Sequence, residues 1–195
     1  FEEPVGYTWI LEKGELGKRR NLRSLLDEMG PQDVFIKGAN ALDPEGNAGV
    51  LVARKDGGTI GRVISYGLAK GINLVFPVGL EKLIPISVKE AAIEAAIERM
   101  DYSIGAPVGL IPVFGKVVTE IEAIKVLIGA KATPIASGGL EGAEGGTTIV
   151  INGDKDQMNR AIAISKEVKG AKLPKINLVK CSKCKFPEVY SACSE

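Results

Sequence analysis

Histidine is absent from this chain of 195 residues. Its absence excludes the commonest general base and every histidine-ligated metal site. It also excludes the catalytic pairs in which histidine activates a nucleophilic serine or cysteine. Any chemistry must therefore rest on carboxylates, lysine, cysteine, hydroxyl groups or backbone amides. The sequence leaves open whether the protein is an enzyme at all.

Charge of one sign and long apolar runs are also missing. Lysine and arginine number 25 against 24 aspartates and glutamates, which argues against a basic face that follows a nucleic-acid backbone. No apolar stretch reaches the roughly 18 residues that a membrane helix needs. Cysteine occurs 3 times, too seldom for a disulfide framework. We therefore expect no nucleic-acid partner, no membrane partner and a reducing, cytoplasmic location.

What is present in the first half is an alternation of short apolar strands and amphipathic helices. Strands are predicted at 33–37, 49–53 and 72–78, and a helix with one apolar side is predicted after the turn at 56–59. Strand, helix and strand joined by short links favour parallel pairing with right-handed crossovers. We predict a Rossmann-like α/β lobe, with a partly parallel sheet, over residues 1–103.

The second half has the order β-α-β-β-α-β, which is the split unit of ferredoxin-like folds. We predict a ferredoxin-like lobe over 104–180, followed by a cysteine-containing tail at 181–195. One continuous sheet that takes in all the strands is the alternative. The predicted elements are a strand at 106–113, a helix at 117–128, strands at 131–137 and 147–152, a helix capped by Asp154 and Gln157, and a strand at 176–180.

A polar, glycine-bearing segment follows the first predicted strand. It supplies Gly38, Asn40, Asp43 and Gly46 as candidate ligand-binding residues. Polar groups and bare amides at the end of a strand are where α/β proteins hold small anionic ligands. Asp-Pro-Glu-Gly-Asn is also a common composition for a plain surface turn, and this interpretation stays open beside the first.

The turn before the predicted helix is the second candidate for ligand binding. Gly57, Gly58 and Thr59 place bare amides at a helix start, where the helix dipole favours a phosphate or a carboxylate. The turn is neither a Walker loop nor a dinucleotide-binding fingerprint. A tight strand-to-helix turn capped by Thr59 is the alternative. If both segments face one crevice, the pocket suits a phosphorylated or acidic small molecule.

The run from Ile36 to Gly49 resembles a segment found across a superfamily of sugar-phosphate isomerases, class I CoA transferases and lactate-utilisation proteins. The resemblance implies a small acidic or phosphorylated metabolite as ligand, held between residues 38–46 and 57–59. Isomerases have an aspartate where this chain has Asn40, and an amide cannot take a proton as a carboxylate does. CoA transferases use a glutamate nucleophile in a glycine-flanked loop, and the resemblance makes Glu45 the candidate catalytic residue.

Cys181, Cys184 and Cys193 form a third group of candidate residues, at the end of the chain. The first two have the spacing of half a zinc or iron–sulfur site, and zinc or an iron–sulfur cluster is the cofactor that we consider. Lactate-utilisation proteins end in a similar cysteine pair followed by a proline, here Pro187. A reversible disulfide and an inert tail are the alternatives.

Two functions are therefore compatible with the sequence. The first is a protein that binds an anionic small molecule and resembles the isomerases and CoA transferases, with its reaction unknown. The second is a non-catalytic regulatory or oligomerisation protein, compatible with a homo-oligomer, whose cysteine tail is metal- or redox-active.

Overall fold

The computed structural model describes residues 9–18 and 20–171, which form a mixed α/β fold. This confirms the predicted α/β class. Two single-turn helices, Leu80–Lys82 and Ile97–Arg99, complete the described secondary structure. The other elements are, in chain order, β1 (Leu11–Glu12), β2 (Glu15–Leu16), α1 (Leu22–Glu28), β3 (Val34–Ile36), β4 (Ala41–Leu42), β5 (Ala48–Val52), α2 (Gly58–Lys70), β6 (Asn73–Pro77), α3 (Val88–Glu94), β7 (Gly109–Pro112), β8 (Lys116–Val118), α4 (Glu120–Ile128), β9 (Lys131–Ser137), β10 (Thr147–Asn152) and α5 (Lys155–Val168).

Strands β3, β6 and β8 form a parallel sheet with β6 in the middle. Helix α2 connects β5 to β6 and buries Ile60, Val63 and Gly67, which recur every three or four residues along one face. Gly67 lets the helix lie close to β6, since a Cβ there would be 2.7 Å from the Leu74 side chain. The helix ends at Lys70, and the C-cap residue is Gly71. Its left-handed φ of 71° costs little free energy only for glycine. The partly parallel sheet predicted for the first half is therefore present.

Strands β4, β5 and β7 form an antiparallel sheet. Strand β7 was expected to open the ferredoxin-like unit, but it pairs with β5 instead. Gly49 on β5 explains this partner, because its bare Cα leaves room for the Leu110 and Val88 side chains. Strand β8 overlaps the start of the helix predicted at 117–128, and that start is therefore wrong. The helix begins later because Thr119 and Glu122 form a capping box at its start.

The sheets of the first half therefore extend past residue 103, as far as Val118 on β8. Beyond it, α4 and α5 pack on the antiparallel pair of β9 and β10, around a small core of Ile128, Ala130 and Ala161. The last strand predicted for the ferredoxin-like unit, at 176–180, lies outside the described residues. The described part of that unit is one hairpin with a helix before it and a helix after it.

One large core joins the parallel and the antiparallel sheet. It contains Leu74 and Phe76 from β6 together with Leu42 from β4 and Val50 from β5. Both sheets therefore fold as one packed body, which fixes the ends of their strands relative to each other. Over the described residues, no helix has both the length and the apolar character required for crossing a bilayer.

Candidate functional site

Gly38 and the start of α2 lie at the same end of the parallel sheet. The backbone amide of Ala39 donates to the Pro77 carbonyl, so the chain leaves β3 beside the end of β6. Helix α2 runs back against these parallel strands before β6 begins, which places its first residues near the carboxyl ends of the strands. By this geometry Gly57 and Gly58 lie toward the same edge as Gly38. That these residues share one ligand site stays a prediction.

Asn40 is engaged in holding the antiparallel sheet together. Its backbone amide donates to the Gly49 carbonyl at 2.8 Å, and its Oδ1 accepts the Leu51 amide at 3.0 Å. The side chain thus takes the place of a backbone acceptor at the start of β4. This bond sets Asn40 beside the end of β5 that leads into the α2 turn.

Asp43 is 1% exposed and hydrogen-bonded on both carboxylate oxygens. Oδ1 accepts the Asn47 backbone amide at 2.8 Å, and Oδ2 accepts the Val88 amide at 3.0 Å and the Asn47 side-chain amide at 3.0 Å. Burial raises the pKa of this carboxyl group, but the bonds from Val88 and Asn47 outweigh it and leave the pKa below its ordinary value. Asp43 thus joins the β4–β5 turn to the start of α3, and its carboxylate is fully used within the fold.

Glu45 and Gly46 lie exposed at the tip of the β4–β5 hairpin. Gly46 has a φ of 85° and its amide donates to the Asp43 carbonyl at 3.0 Å, which closes the turn. A carboxylate that forms an acyl anhydride needs a sheltered position with oxyanion donors, and this turn gives Glu45 no shelter.

The predicted ligand residues thus do not come together along β5. Asp43, Glu45 and Gly46 precede the strand, whereas Gly57, Gly58 and Thr59 follow it, about 17 Å away for five extended residues. Asn40 lies beside the strand, through its bonds to Gly49 and Leu51. Gly38 lies at the end of β3, next to Pro77.

A carboxylate occupies the start of α2. Asp56 accepts the Gly58 amide at 3.0 Å, Nε and Nη2 of Arg54 at 3.0 and 2.8 Å, and Nη2 of Arg62 at 2.9 Å. The Arg54 guanidinium, the Gly58 amide and then Arg62 hold the pKa of Asp56 well below its usual range. The N-cap is Gly57, with a φ of 73° and no side-chain bond, so Asp56 rather than Thr59 satisfies this helix start.

Four charged residues of this region were not among the predicted site residues. They are Asp56, the two arginines that meet on it, Arg54 and Arg62, and Lys82, whose Nζ donates to the Ala39 carbonyl at 3.0 Å. Arg54, Asp56 and Arg62 follow one another within nine residues and flank a glycine pair. This spacing is the sequence signal from which the charged cluster could have been predicted. Lys82 had none, because it reaches Ala39 from 43 residues away.

No group of three or more metal-ligating side chains comes together within residues 9–18 and 20–171. The three cysteines, Cys181, Cys184 and Cys193, lie outside those residues. Zinc or iron–sulfur binding by the tail therefore stays a prediction.

Comparison of the chain with protein-family models, with curated proteins and with solved structures found no match. The resemblance of residues 36–49 to the isomerase and CoA-transferase superfamily accordingly stays a prediction.

Proposed function

We propose that the protein binds a small acidic or phosphorylated metabolite at the start of α2, beside Gly38 and Asn40. The observation that supports this is the Asp56 carboxylate, which two guanidinium groups and a backbone amide surround. A position that lowers the pKa of a carboxyl group stabilises negative charge there. The same donors suit the carboxylate or phosphate group of a ligand.

The residues at this edge have distinct roles in the proposal. Arg54 and Arg62 provide planar, bidentate donors that match carboxylate and phosphate oxygens. Gly57 and Gly58 allow the backbone to approach the anion. Gly38 keeps the end of β3 open, since the nearest atom to a Cβ built there is the Pro77 carbonyl oxygen at 3.8 Å. The ligand displaces Asp56 from the arginines, and Asp56 is the internal competitor for the site.

Binding without catalysis is the second candidate function, and the carboxylates of this region favour it. Asp56 has a lowered pKa, Asp43 is buried in hydrogen bonds, and Glu45 is exposed at a hairpin tip. None of the three is placed as a sheltered base or nucleophile. We further propose a cytoplasmic protein, because its three cysteines do not suit a disulfide framework.

Asp56→Asn is expected to strengthen the binding of inorganic phosphate, sugar phosphates or acyl-CoA compounds by about tenfold. The substitution keeps an acceptor for the Gly58 amide and removes the negative charge that competes for the arginines. A ligand at 100 times its Kd adds about 2.7 kcal/mol to the free energy of unfolding. For a chain of this size that is a rise in Tm of roughly 5–10 °C, measured by thermal shift.

Two variants serve as controls for this experiment. Asp154→Asn removes a carboxylate that caps α5 by accepting the Gln157 amide at 2.8 Å, and it should leave ligand binding unchanged. Glu45→Gln changes the exposed hairpin tip and should also leave binding unchanged. If none of these ligands shifts the Tm of the wild type or of Asp56→Asn, the proposed function is wrong.

A further inference from the structure

The two helices of the C-terminal unit are wider than the sheet that they cover. In the described part of the chain, α4 and α5 pack on a sheet of two strands, β9 and β10. Packed helices lie about 8–10 Å apart, whereas neighbouring strands are about 4.8 Å apart. Two helices therefore cover the width of about four strands, so we expect α5 to extend past the edge of β10 that faces away from β9.

An open apolar groove of about 390 Å³ lies between β10 and α5. Ile149 and Ile151 of β10 form one side, and Met158 and Ile162 of α5 form the other. Ile162 is 53% exposed, which is costly for an isoleucine on a helix that already packs on the sheet. A further strand beside β10 would lie under α5 and cover these side chains.

Among residues 9–18 and 20–171, nothing pairs with the edge of β10 that faces away from β9, and this edge has no charged side chain or proline. Proteins protect exposed edges with charged side chains, prolines or bulges. Strand β9 has Lys131 and Pro134, whereas the six residues of β10, Thr147–Asn152, include neither a charge nor a proline. The one register shift between these two strands, at Thr148 and Ile149, has its extra residue, Ile135, on β9.

Charge indicates what kind of strand the groove accepts. Lys166 and Lys169 line the end of the groove formed by the last turns of α5, and no acidic side chain lines it. The segment that directly follows α5, residues 172–187, contains five lysines and no acid, and the glutamates of 172–195 are at 188 and 195. The segment nearest the groove in sequence is therefore not complementary to this end. We propose that the groove between β10 and α5 binds an extended segment of a partner protein, apolar at alternate positions and acidic at one end, as a third strand.

The probe is a synthetic heptapeptide of alternating valine and threonine that ends in two aspartates, made also with the aspartates at the other end. Fluorescence anisotropy with the full chain should show saturable binding of at least one of the two. A peptide with lysines in place of the aspartates should bind about tenfold more weakly. N-methylation of alternate amides on the edge that faces β10 should abolish binding, because it removes the donors that pair with the strand.

Charge reversal tests the lysine end of the groove. The double variant Lys166→Glu, Lys169→Glu should reverse the preference, so that the lysine peptide binds and the aspartate peptide does not. Lys155→Glu makes the same charge change on the first turn of α5, outside the groove, and should leave the preference as in the wild type. If all three proteins bind the two peptides equally, the assigned site is wrong.

Amide hydrogen exchange of β10 identifies other occupants of the groove. In the free protein, the β10 amides that do not bond to β9 should exchange fast, and the aspartate peptide should slow them at least tenfold. Protection without peptide overturns the proposal. It indicates the chain's own residues 172–195 if it is independent of concentration, and a second copy if it grows with concentration. Fast exchange with no peptide binding at 1 mM also overturns it.

Discussion

Phe76→Ala is expected to lower the free energy of unfolding by about 4 kcal/mol, because it opens a cavity in the main core. Phe76 is fully buried in β6, the middle strand of the parallel sheet. Its ring lies over Gly115, where a Cβ would come within 2.9 Å of the ring carbon Cε2. The glycine and the two neighbouring strands hold this part of the backbone in place, so the cavity cannot close by local collapse.

Phe114→Ala is the matched control, because Phe114 is 61% exposed and lies next to Gly115, between β7 and β8. Its truncation should cost less than about 1 kcal/mol. Urea unfolding measures both variants, with the slope against denaturant as a check that each unfolds in one step. Equal losses for the two variants would contradict the assignment of Phe76 to the centre of the core.

Elements that depend on nearby residues could be predicted from the sequence. The strands expected at 131–137 and 147–152 are present with those bounds, because apolar alternation and the glycine-rich link between them are local signals. The capping box of Asp154 and Gln157 is confirmed at the start of α5. Periodicity and capping need only a few consecutive residues, so a single sequence contains the information.

Pairing between distant strands could not be predicted in the same way. Strand β7 was recognised as a strand, but its partner β5 lies about sixty residues earlier in the chain. The fit depends on Gly49, which leaves room for Leu110, and a lone glycine in a strand is equally typical of a bulge or a weak point. The predicted ferredoxin-like unit therefore included β7 as its first strand, whereas β7 belongs to the sheet of β4 and β5.

The candidate site, too, could be predicted from the sequence only where it depends on adjacent residues. Bare amides at the start of α2 were predicted, because Gly57 and Gly58 are adjacent in sequence. That Asp56 already occupies them depends on Arg54 and Arg62 turning toward one carboxylate. A charged residue near a helix start can form ion pairs or hydrogen bonds with several neighbours, and only the folded structure shows which of them it contacts.

Asp43→Ala is expected to lower the free energy of unfolding by about 3 kcal/mol. Removal of the carboxylate leaves the buried Val88 amide and the amides of Asn47 without their acceptor. The β4–β5 turn then loses its connection to α3, which is 45 residues away in sequence. Asp33→Ala is the control, since Asp33 is exposed and its side chain accepts the Gly30 amide at 2.8 Å. Its loss should cost about 1 kcal/mol or less.

The stabilisation from Asp43 should also depend on pH in a defined direction. The folded-state pKa is below the unfolded value, so the charged carboxylate stabilises the native state, and this contribution is complete above the unfolded pKa of about 3.9. It is lost as the pH falls through the folded pKa. The difference in unfolding free energy between wild type and Asp43→Asn should therefore stay constant from pH 7 to about pH 5 and shrink below about pH 4. A difference that grows on acidification would mean that Asp43 is protonated in the folded protein.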